Sequence, residues 1–554
     1  MKGYRKGLVS TLLTLGLLTM AACGRPPAVG GGTGEGAHGG HEAHGQAAAG
    51  SAAGAPAGAA GGQRLRIAIG HGLDYVGVDP LGPGRENTLL ATIIYEPLLL
   101  ETADGKLEPA LAERWESDPT GTHWTFHLRR GVTFHDGTPF DARAVVRAYE
   151  RHLRDPEKAR RLGEPRVEIV DDYTVSFHLN RPHAPFLSVV GSFSTVIPGP
   201  NAYGSDGNLV KPVGTGPFQV TRFTREHVLL ARYEKHWRQV PALEEVEVKY
   251  IPDPATMILA LEAGEVDVIG ADGYGVPRNE IRRLEADPRF RVLVNTKDAA
   301  LEWIGFNLHR PPFDDLRVRQ AFNYAVDREA ITRQVLEGYA VPARGPIGYD
   351  ASIPWTNTAI EGYRHHPERA RALLEEAGWK DTDGDGIRER DGRPLRATLL
   401  FEPTRDWKLV AEALRTQLRQ VGMDLRLEMR DGALIRDLQK KGDFEAAAQG
   451  SIGKSLVDPY YYLVWYYSSR GRGSLLHDPG LDGLIARSLS TLDPGERERL
   501  YHEIQARIME ILPGAYLYHP ARVTVVRADV EGWESAGTMD PLRFLWKVSR
   551  RGGR

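Results

Sequence analysis

An acidic loop at residues 381–389 holds the densest set of possible metal ligands in the sequence. It reads Asp381-Thr382-Asp383-Gly384-Asp385-Gly386-Ile387-Arg388-Glu389. Asp381, Asp383, Asp385 and Glu389 fall at positions 1, 3, 5 and 9 of a calcium-loop pattern, where alternate oxygens on a tight turn converge on one hard cation. Gly392 stands where that pattern has its bidentate glutamate. The sequence therefore predicts either a structural calcium site or a metal-free Asp-Gly turn.

Aromatic residues crowd the segment after the Asp458-Pro459 step. They are Tyr460, Tyr461, Tyr462, Trp465, Tyr466 and Tyr467. Flat, rigid side chains enclose an organic solute at low entropic cost. Tyr460 and Trp465 are therefore candidate ligand contacts. The alternative is that part of this run packs a hydrophobic core.

Motifs that would indicate an enzyme are incomplete. Gly453-Lys454-Ser455 ends like a phosphate-binding loop, but Ala448 stands at the position of its first glycine. His41-Glu42-Ala43-His44 lacks the spacing of a zinc protease helix. A secreted hydrolase with Asp/Glu chemistry stays a remote alternative, because no spaced nucleophile–base pair supports it. We predict a non-enzyme without a catalytic cofactor.

The composition excludes several other classes. Lys and Arg total 70 against 73 Asp and Glu, a net charge of −3, whereas nucleic-acid binders usually carry a basic excess. No apolar run of about 18 residues lies beyond the N-terminus, which argues against an integral membrane protein. One cysteine cannot form an intrachain disulfide.

The N-terminus is typical of an exported, membrane-anchored protein. Residues 1–22 combine a basic start with a short apolar run and small residues, as a signal peptide does. The only cysteine, Cys23, follows them, and this resembles a bacterial lipobox, so we predict lipidation there. Residues 23–62 are then a Gly/Ala/His-rich tether whose coil would span about 35 Å. Whether its histidines bind metal stays open.

The rest of the chain alternates strand and helix patterns. Alternating apolar residues predict strands over 65–69, 124–128, 173–177 and 246–250. Asp141 is a predicted N-cap for a helix over 142–153. Further helices are predicted over 315–324, 327–337, 367–377, 407–421, 482–490 and 494–510, with Arg319 on a helix surface and Asp327 as a cap. This is a mixed α/β chain without an internal repeat.

Four ordered motifs resemble one family. They are Trp124-Thr125-Phe126-His127-Leu128 with the following segment to Phe140; Gly214-Thr215-Gly216-Pro217-Phe218; Phe306-Asn307-Leu308 with 312–328; and the segment from Pro367 to Trp379. Together they resemble the solute-binding proteins of ABC importers in the oligopeptide, dipeptide and nickel class (bacterial extracellular solute-binding proteins, family 5). The glycine motif itself is either a solute-contacting loop or a structural turn.

The resemblance implies a two-lobed periplasmic-binding-protein-like α/β fold (class II type) with a hinge and an enlarged first lobe. Lobe I would comprise residues 63–295 and 525–554, and lobe II residues 296–524. The solute would bind between the lobes and pass to ABC permease subunits with a separate ATPase. We expect a monomer facing the periplasm or cell exterior.

The resemblance also points to particular site residues. Peptide binders of this class place an aspartate before the Asp-Pro step, but this chain has Lys454 and Ser455 there. Nickel binders use an arginine in the segment that begins here at Ser192. In this chain that segment contains no arginine. A C-terminal threonine matches at Thr538.

Two arginines complete the predicted site. Arg85 lies in a loop that faces the cleft in relatives, and Arg470 flanks the cleft from lobe II; each could clamp a carboxylate or phosphate, or lie solvated at the surface. If they bind solute, the solute is acidic. We favour a peptide-like solute, with a nickel or other metal chelate, or an opine-like compound, as the alternative.

Overall fold

The computed structural model describes residues 63–70, 79–80, 90–102, 105–224, 226–272, 276–296, 300–347, 355–403, 406–451, 458–471, 476–534 and 542–552. The predicted signal peptide and tether, with Cys23, lie outside these residues, as do Arg85, Ser455 and Thr538. Among the helices of the described part, none combines the length and the apolar character needed to cross a membrane.

Twenty-three strands are present in the described residues. They are β1 Arg64–Ile69, β2 Leu99–Glu101, β3 Leu107–Pro109, β4 Ala112–Ser117, β5 His123–Leu128, β6 Arg166–Asp171, β7 Thr174–His178, β8 Phe218–Phe223, β9 His227–Arg232, β10 Glu245–Tyr250, β11 Val268–Ile269, β12 Phe290–Asn295, β13 Leu301–Phe306, β14 Ala340–Pro342, β15 Glu389–Arg390, β16 Arg393–Pro394, β17 Arg396–Phe401, β18 Asp424–Met429, β19 Ala446–Ser451, β20 Gly514–Pro520, β21 Arg522–Arg527, β22 Val530–Glu531 and β23 Ser549–Arg550.

The same residues form fourteen α-helices. They are α1 Ala91–Ile94, α2 Ala142–His152, α3 Pro156–Arg161, α4 Phe186–Val190, α5 Pro254–Glu262, α6 Arg278–Glu285, α7 Leu316–Ala325, α8 Arg328–Ala330, α9 Pro367–Glu376, α10 Trp407–Arg419, α11 Gly432–Lys440, α12 Tyr460–Tyr467, α13 Pro479–Ser490 and α14 Pro494–Ile511. Short 3-10 turns lie at Phe193–Thr195 and Leu545–Lys547, and a π-helical turn at Ile331–Val335.

Three sheets organise these elements. A seven-stranded sheet, order β12-β21-β11-β1-β10-β9-β8, and a four-stranded antiparallel sheet, order β4-β5-β7-β6, form lobe I. A six-stranded mixed sheet, order β14-β20-β13-β19-β17-β18, forms lobe II. Each sheet has a hydrophobic core of its own, and helices α12–α14 share another with the start of β13.

The chain crosses between the two large sheets twice, at neighbouring points. β12 ends at Asn295 in the first sheet and β13 begins at Leu301 in the second; β20 ends at Pro520 and β21 begins at Arg522 back in the first. Asn295 pairs with Arg522, and His519 Nδ1 lies 2.8 Å from the Ala300 carbonyl oxygen. β21 pairs with β12 along its whole length, so residues 522–527 belong to the first sheet. Two adjacent single-chain crossings are the place where we expect the lobes to hinge.

Aspartate caps start many of the helices. The carboxylate of Asp141 accepts the Ala144 N–H at the start of α2, as predicted, and Asp493 caps α14 in the same way. Each cap satisfies a backbone donor that the first helical turn leaves unpaired.

Two expectations need correction. Residues 327–337 do not form one helix: α8 ends after three residues and continues as the π-helical turn, where the Leu336 N–H donates to the Ile331 carbonyl five residues back. Arg319 is buried instead of lying on the helix surface, and its guanidinium donates to the Ile511 and Leu512 carbonyls at the end of α14. The cap predicted for Asp327 is confirmed, since its carboxylate accepts the Ala330 N–H at 2.8 Å.

The glycine motif at 214–218 is a buried structural turn. A Cβ on Gly214 would lie 1.9 Å from the Ile94 carbonyl oxygen, and Thr215 is fully buried. The Thr215 hydroxyl and the Trp237 Nε1–H both donate to the buried carboxylate of Glu96, at 2.9 and 2.6 Å. Glycine is needed here because the turn touches the α1 backbone.

Candidate functional site

A cavity of about 810 Å³ lies in lobe II between α11, β19 and α12. The lobe II cavity, as we name it, is lined among others by Glu402, Arg436, Lys440, Gln449, Trp465 and Tyr466. Its volume is in the range of small-molecule sites. Its lining mixes aromatic faces with charged groups, the combination that orients an organic solute.

The aromatic wall is held rigid by its neighbours. Trp465 stacks on Tyr461 with ring centroids 5.8 Å apart, and the Tyr466 ring meets Trp303 edge-on, also at 5.8 Å. The Tyr466 hydroxyl donates to the Gly450 carbonyl at 3.2 Å. Burial, with the Glu302 charge as a second cause, raises the pKa of Tyr466 to about 12, so the hydroxyl stays neutral. A solute would therefore meet a preformed aromatic face.

The start of α12 is fixed by Asp458. This buried carboxylate accepts the Tyr460 N–H at 2.9 Å and the Tyr501 hydroxyl at 2.8 Å, and forms an ion pair with Arg497 at 2.5 Å. Because it has these three partners, the Asp458 carboxylate is fully engaged in contacts within the protein. Asp458 thus positions the aromatic helix.

Positive charge dominates the lobe II cavity. Among its described lining residues, Arg436, Lys440 and Lys441 stand with His309 and His477 against one carboxylate, that of Glu402. Lys441 pairs with Asp437 at 2.6 Å, and Arg436 lies 3.9 Å from Glu402. The side chains of Lys440, His309 and His477 have no hydrogen-bond or ion-pair partner in the described part of the chain. The Lys440 ammonium, with two imidazole N–H donors near the same aromatic wall, suits an anionic group on the solute.

A buried carboxylate lies at the hinge end of lobe II. Glu302, at the start of β13, is 3% exposed and accepts the Trp407 Nε1–H at 2.9 Å. Its oxygens lie 3.2–3.3 Å from where a Cβ on Gly450 would stand. Nothing in the spacing of the sequence singles out this glutamate, because its partners come from β19 and α10.

The two lobes touch at two separate places. From α6 of lobe I, Arg278 donates through Nε and Nη2 to Asp406, at 2.8 and 2.5 Å. From α3, Arg161 donates to the Tyr460 hydroxyl at 3.4 Å, and its guanidinium lies 4.7 Å from the centre of the Tyr461 ring. These contacts join the two lobes.

The predicted site residues fall in different places. Trp465 lines the lobe II cavity. Tyr460 is 7% exposed and packs in the core of the four-stranded layer, so its side chain is committed to protein contacts. Arg470 is exposed and is not among the described lining residues. Ser192 begins the 3-10 turn of lobe I, its hydroxyl 2.6 Å from that of Ser194.

The acidic loop has a compact arrangement of carboxylates. One oxygen each of Asp381, Asp383, Asp385 and Glu389 can be chosen so that all lie within 4.8 Å of one another. Backbone N–H groups already fold the loop, since Asp381 accepts from Gly384 at 2.7 Å and Asp385 accepts from Ile387 at 2.6 Å. The same geometry suits an Asp-Gly turn or a calcium loop, so calcium binding stays a prediction.

Comparison with known proteins identifies the class. Residues 106–474, more than half of the chain, match the family described as bacterial extracellular solute-binding proteins, family 5 Middle. The chain is 30% identical over 465 residues to the nickel-binding periplasmic protein of Escherichia coli K12, covering 80% of this chain and 88% of that protein. The chain therefore belongs to family 5 of the extracellular solute-binding proteins.

Solved structures agree on the fold. NikA from Brucella suis in complex with Fe(III)-EDTA superposes with a TM-score of 0.81 at 28% identity, covering 88% of this chain and all of that one. DppA from Helicobacter pylori in complex with the peptide STSA gives 0.71 at 26% identity, covering 89% and 98%. The two-lobed α/β fold is thus confirmed, as is the role of an extracytoplasmic solute-binding protein of an ABC importer.

Proposed function

We propose that this protein captures a peptide-like solute with a free carboxylate between its lobes and delivers it intact to an ABC permease. The observation that carries the proposal is the lobe II cavity, which would form the lobe II half of the site. There the aromatic face of Trp465 and Tyr466 lies with Lys440, which has no ion-pair partner among the described residues. The aromatic face would stack against the apolar part of the solute. Lys440, an exposed side chain, would pair with its anionic end through a charge-assisted contact.

A metal chelate is the second candidate. His309 and His477 line the same cavity, and imidazole is a common ligand for nickel and iron. The similar proteins named above include a nickel-binding protein and a structure holding Fe(III)-EDTA, itself a polycarboxylate. Both candidates share a carboxylate-bearing organic solute, so one cavity serves either.

Calorimetric titration separates the two candidates. The probes are a tetrapeptide pool, the same pool with amidated C-termini, Fe(III)-EDTA and nickel with L-histidine. We expect the free peptides to bind and amidation to weaken binding about tenfold, the loss of one charge-assisted contact. Saturable binding of only the two chelates would select the second candidate. If none of the four binds, the proposed solute class is wrong.

Variants test the cavity itself. Lys440→Gln should weaken binding of the free peptides about five- to tenfold and leave the amidated pool unchanged, because only the carboxylate contact is lost. Lys380→Gln removes the same charge at an exposed position outside the lining and is the matched control. Equal effects of both variants would mean that general charge, and not Lys440, attracts the solute.

We also propose that the protein is a monomer anchored through lipidated Cys23 and that it does not alter its solute. The signal-like residues 1–22 before the only cysteine support the anchor. The family is one of solute-binding transport proteins, which supports the absence of catalysis. The intact mass of the mature protein tests the anchor: we expect a diacyl modification on an N-terminal Cys23.

A further inference from the structure

An arginine-lined groove lies in lobe I and shares no described lining residue with the lobe II cavity. It has a volume of about 350 Å³ between α2 and the segment 198–205. Arg147, Arg151 and Arg154 line it on one side, and Tyr203 on the other. The spacing of four and then three residues places the three arginines on one face of α2 and its end.

These arginines lack acidic partners. No ion pair joins any of them to a carboxylate in the described residues, although Glu150 in the lining is three residues from Arg147 and four from Arg154. Arg143, one turn earlier on the same helix, pairs with both Asp141 and Asp172 at 3.1 Å. Within the described residues, Arg143 outside the groove is thus neutralised, whereas the three arginines that line the groove have no carboxylate partner.

The groove holds two guanidinium groups in place without using most of their donors. Arg147 and Arg151 each donate one long bond of 3.4 Å, to the carbonyls of Pro200 and Gly207. Arg151 also lies 4.2 Å from the centre of the Tyr203 ring, whose hydroxyl is fixed by a 2.6 Å bond to Asp79. A guanidinium has five donors, so most remain directed to solvent or to a ligand.

We propose that this groove is a binding site for the phosphate group of a small soluble molecule. Like charges one turn apart destabilise a helix. A multivalent anion that binds all three arginines would therefore relieve the repulsion among their guanidinium groups. Planar guanidinium groups match the oxygens of phosphate in bidentate geometry. The volume admits a phosphate with a small organic group attached. The site is separate from solute capture between the lobes.

The test is ³¹P NMR titration of inorganic phosphate and of glycerol 3-phosphate with the full-length mature protein at low ionic strength. We expect saturable binding at one site for both probes. Arg154→Gln should weaken it about tenfold, because one charge-assisted contact is lost and, in the described part of the chain, the Arg154 side chain makes no hydrogen bond or ion pair with another side chain. Arg143→Gln removes an equal charge from the same helix outside the groove and should leave the affinity within about twofold.

Three results would overturn the proposal. The first is no saturable binding of either probe. The second is equal weakening by Arg143→Gln and Arg154→Gln, which would indicate unspecific attraction of anions. The third is binding of phosphatidylglycerol vesicles without binding of the soluble probes, which would make the groove a membrane contact. Thermal unfolding of both variants checks that each is folded.

Discussion

The ion pair between Arg278 and Asp406 should stabilise the arrangement in which the lobes touch. Arg278 belongs to lobe I and Asp406 stands before α10 of lobe II; their side chains are only 16% and 21% exposed. Arg278 Nη1 also donates to the Leu336 and Tyr339 carbonyls of lobe II, at 3.3 and 3.1 Å. Asp406 makes no capping bond to its own helix, so its carboxylate serves the contact between lobes.

The size of the effect follows from these contacts. A hydrogen bond to a charged group contributes about 1.5–3 kcal/mol, and the partial exposure of this pair places it at about 2 kcal/mol. We expect these contacts to form only when the lobes meet, and Arg278→Met should then lower the ratio of closed to open molecules about 30-fold. Asp406→Asn should act in the same direction. The double variant should lose less than the sum, because no partly buried charge is then left unpaired.

Single-molecule fluorescence energy transfer measures this ratio directly. In a Cys23→Ser background, cysteines at the exposed positions Val170 of lobe I and Arg393 of lobe II carry the dyes. Arg282→Met is the matched control, because Arg282 lies one turn further along α6, is 73% exposed and only approaches Glu337 at 4.0 Å. An unchanged closed fraction in Arg278→Met, with normal folding, would refute the reasoning.

Three further predictions concern stability and location. Gly214→Ala should cost more than about 3 kcal/mol or abolish soluble expression, because its Cβ would meet the Ile94 carbonyl at 1.9 Å; Gly483→Ala, with open space around it, should be neutral or stabilising by denaturant titration. Burial lowers the pKa of His152 to about 3, so only the unfolded chain takes up this proton below its ordinary pKa of about 6.5. The free energy of unfolding should therefore fall as the pH is lowered from 6 to 4, and this fall should be steeper than in His152→Gln by up to about 1.4 kcal/mol per pH unit. Equal slopes in the two proteins would contradict the assignment. Cys23→Ser should move the protein from the membrane fraction to the soluble fraction, and continued attachment would rule out the lipid anchor.

Local signals in the sequence predicted much of the fold. The cap at Asp141 and the apolar stripe of α2 predicted that helix, and the alternating residues before Leu128 predicted β5, because both patterns depend on near neighbours. The family motifs then predicted a fold of two lobes. The prediction of one helix over 327–337 was wrong, because a helical sequence pattern does not show where hydrogen bonds to the fifth preceding residue replace those to the fourth, as they do in the π-helical turn that begins at Ile331.

The site could be predicted only in part. Trp465 was predicted because aromatic residues crowd one segment; it lines the lobe II cavity, and its contact with a solute stays a prediction. The burial of Tyr460 depends on packing against distant residues near Arg161. The sequence does not indicate Glu302, because its partner Trp407 is 105 residues away. It does not indicate the Arg278–Asp406 contact either, because these residues are 128 positions apart. Such pairs form by tertiary packing, which no local spacing encodes.

Native mass spectrometry of the protein purified from its own cells tests the central claim most directly. We predict a one-to-one complex with a small carboxylate-bearing solute, which leaves with unchanged mass when the protein is unfolded and rebinds when it is refolded. A protein that carries no solute and binds none of the peptides or chelates, or one that returns the solute chemically altered, would contradict the account.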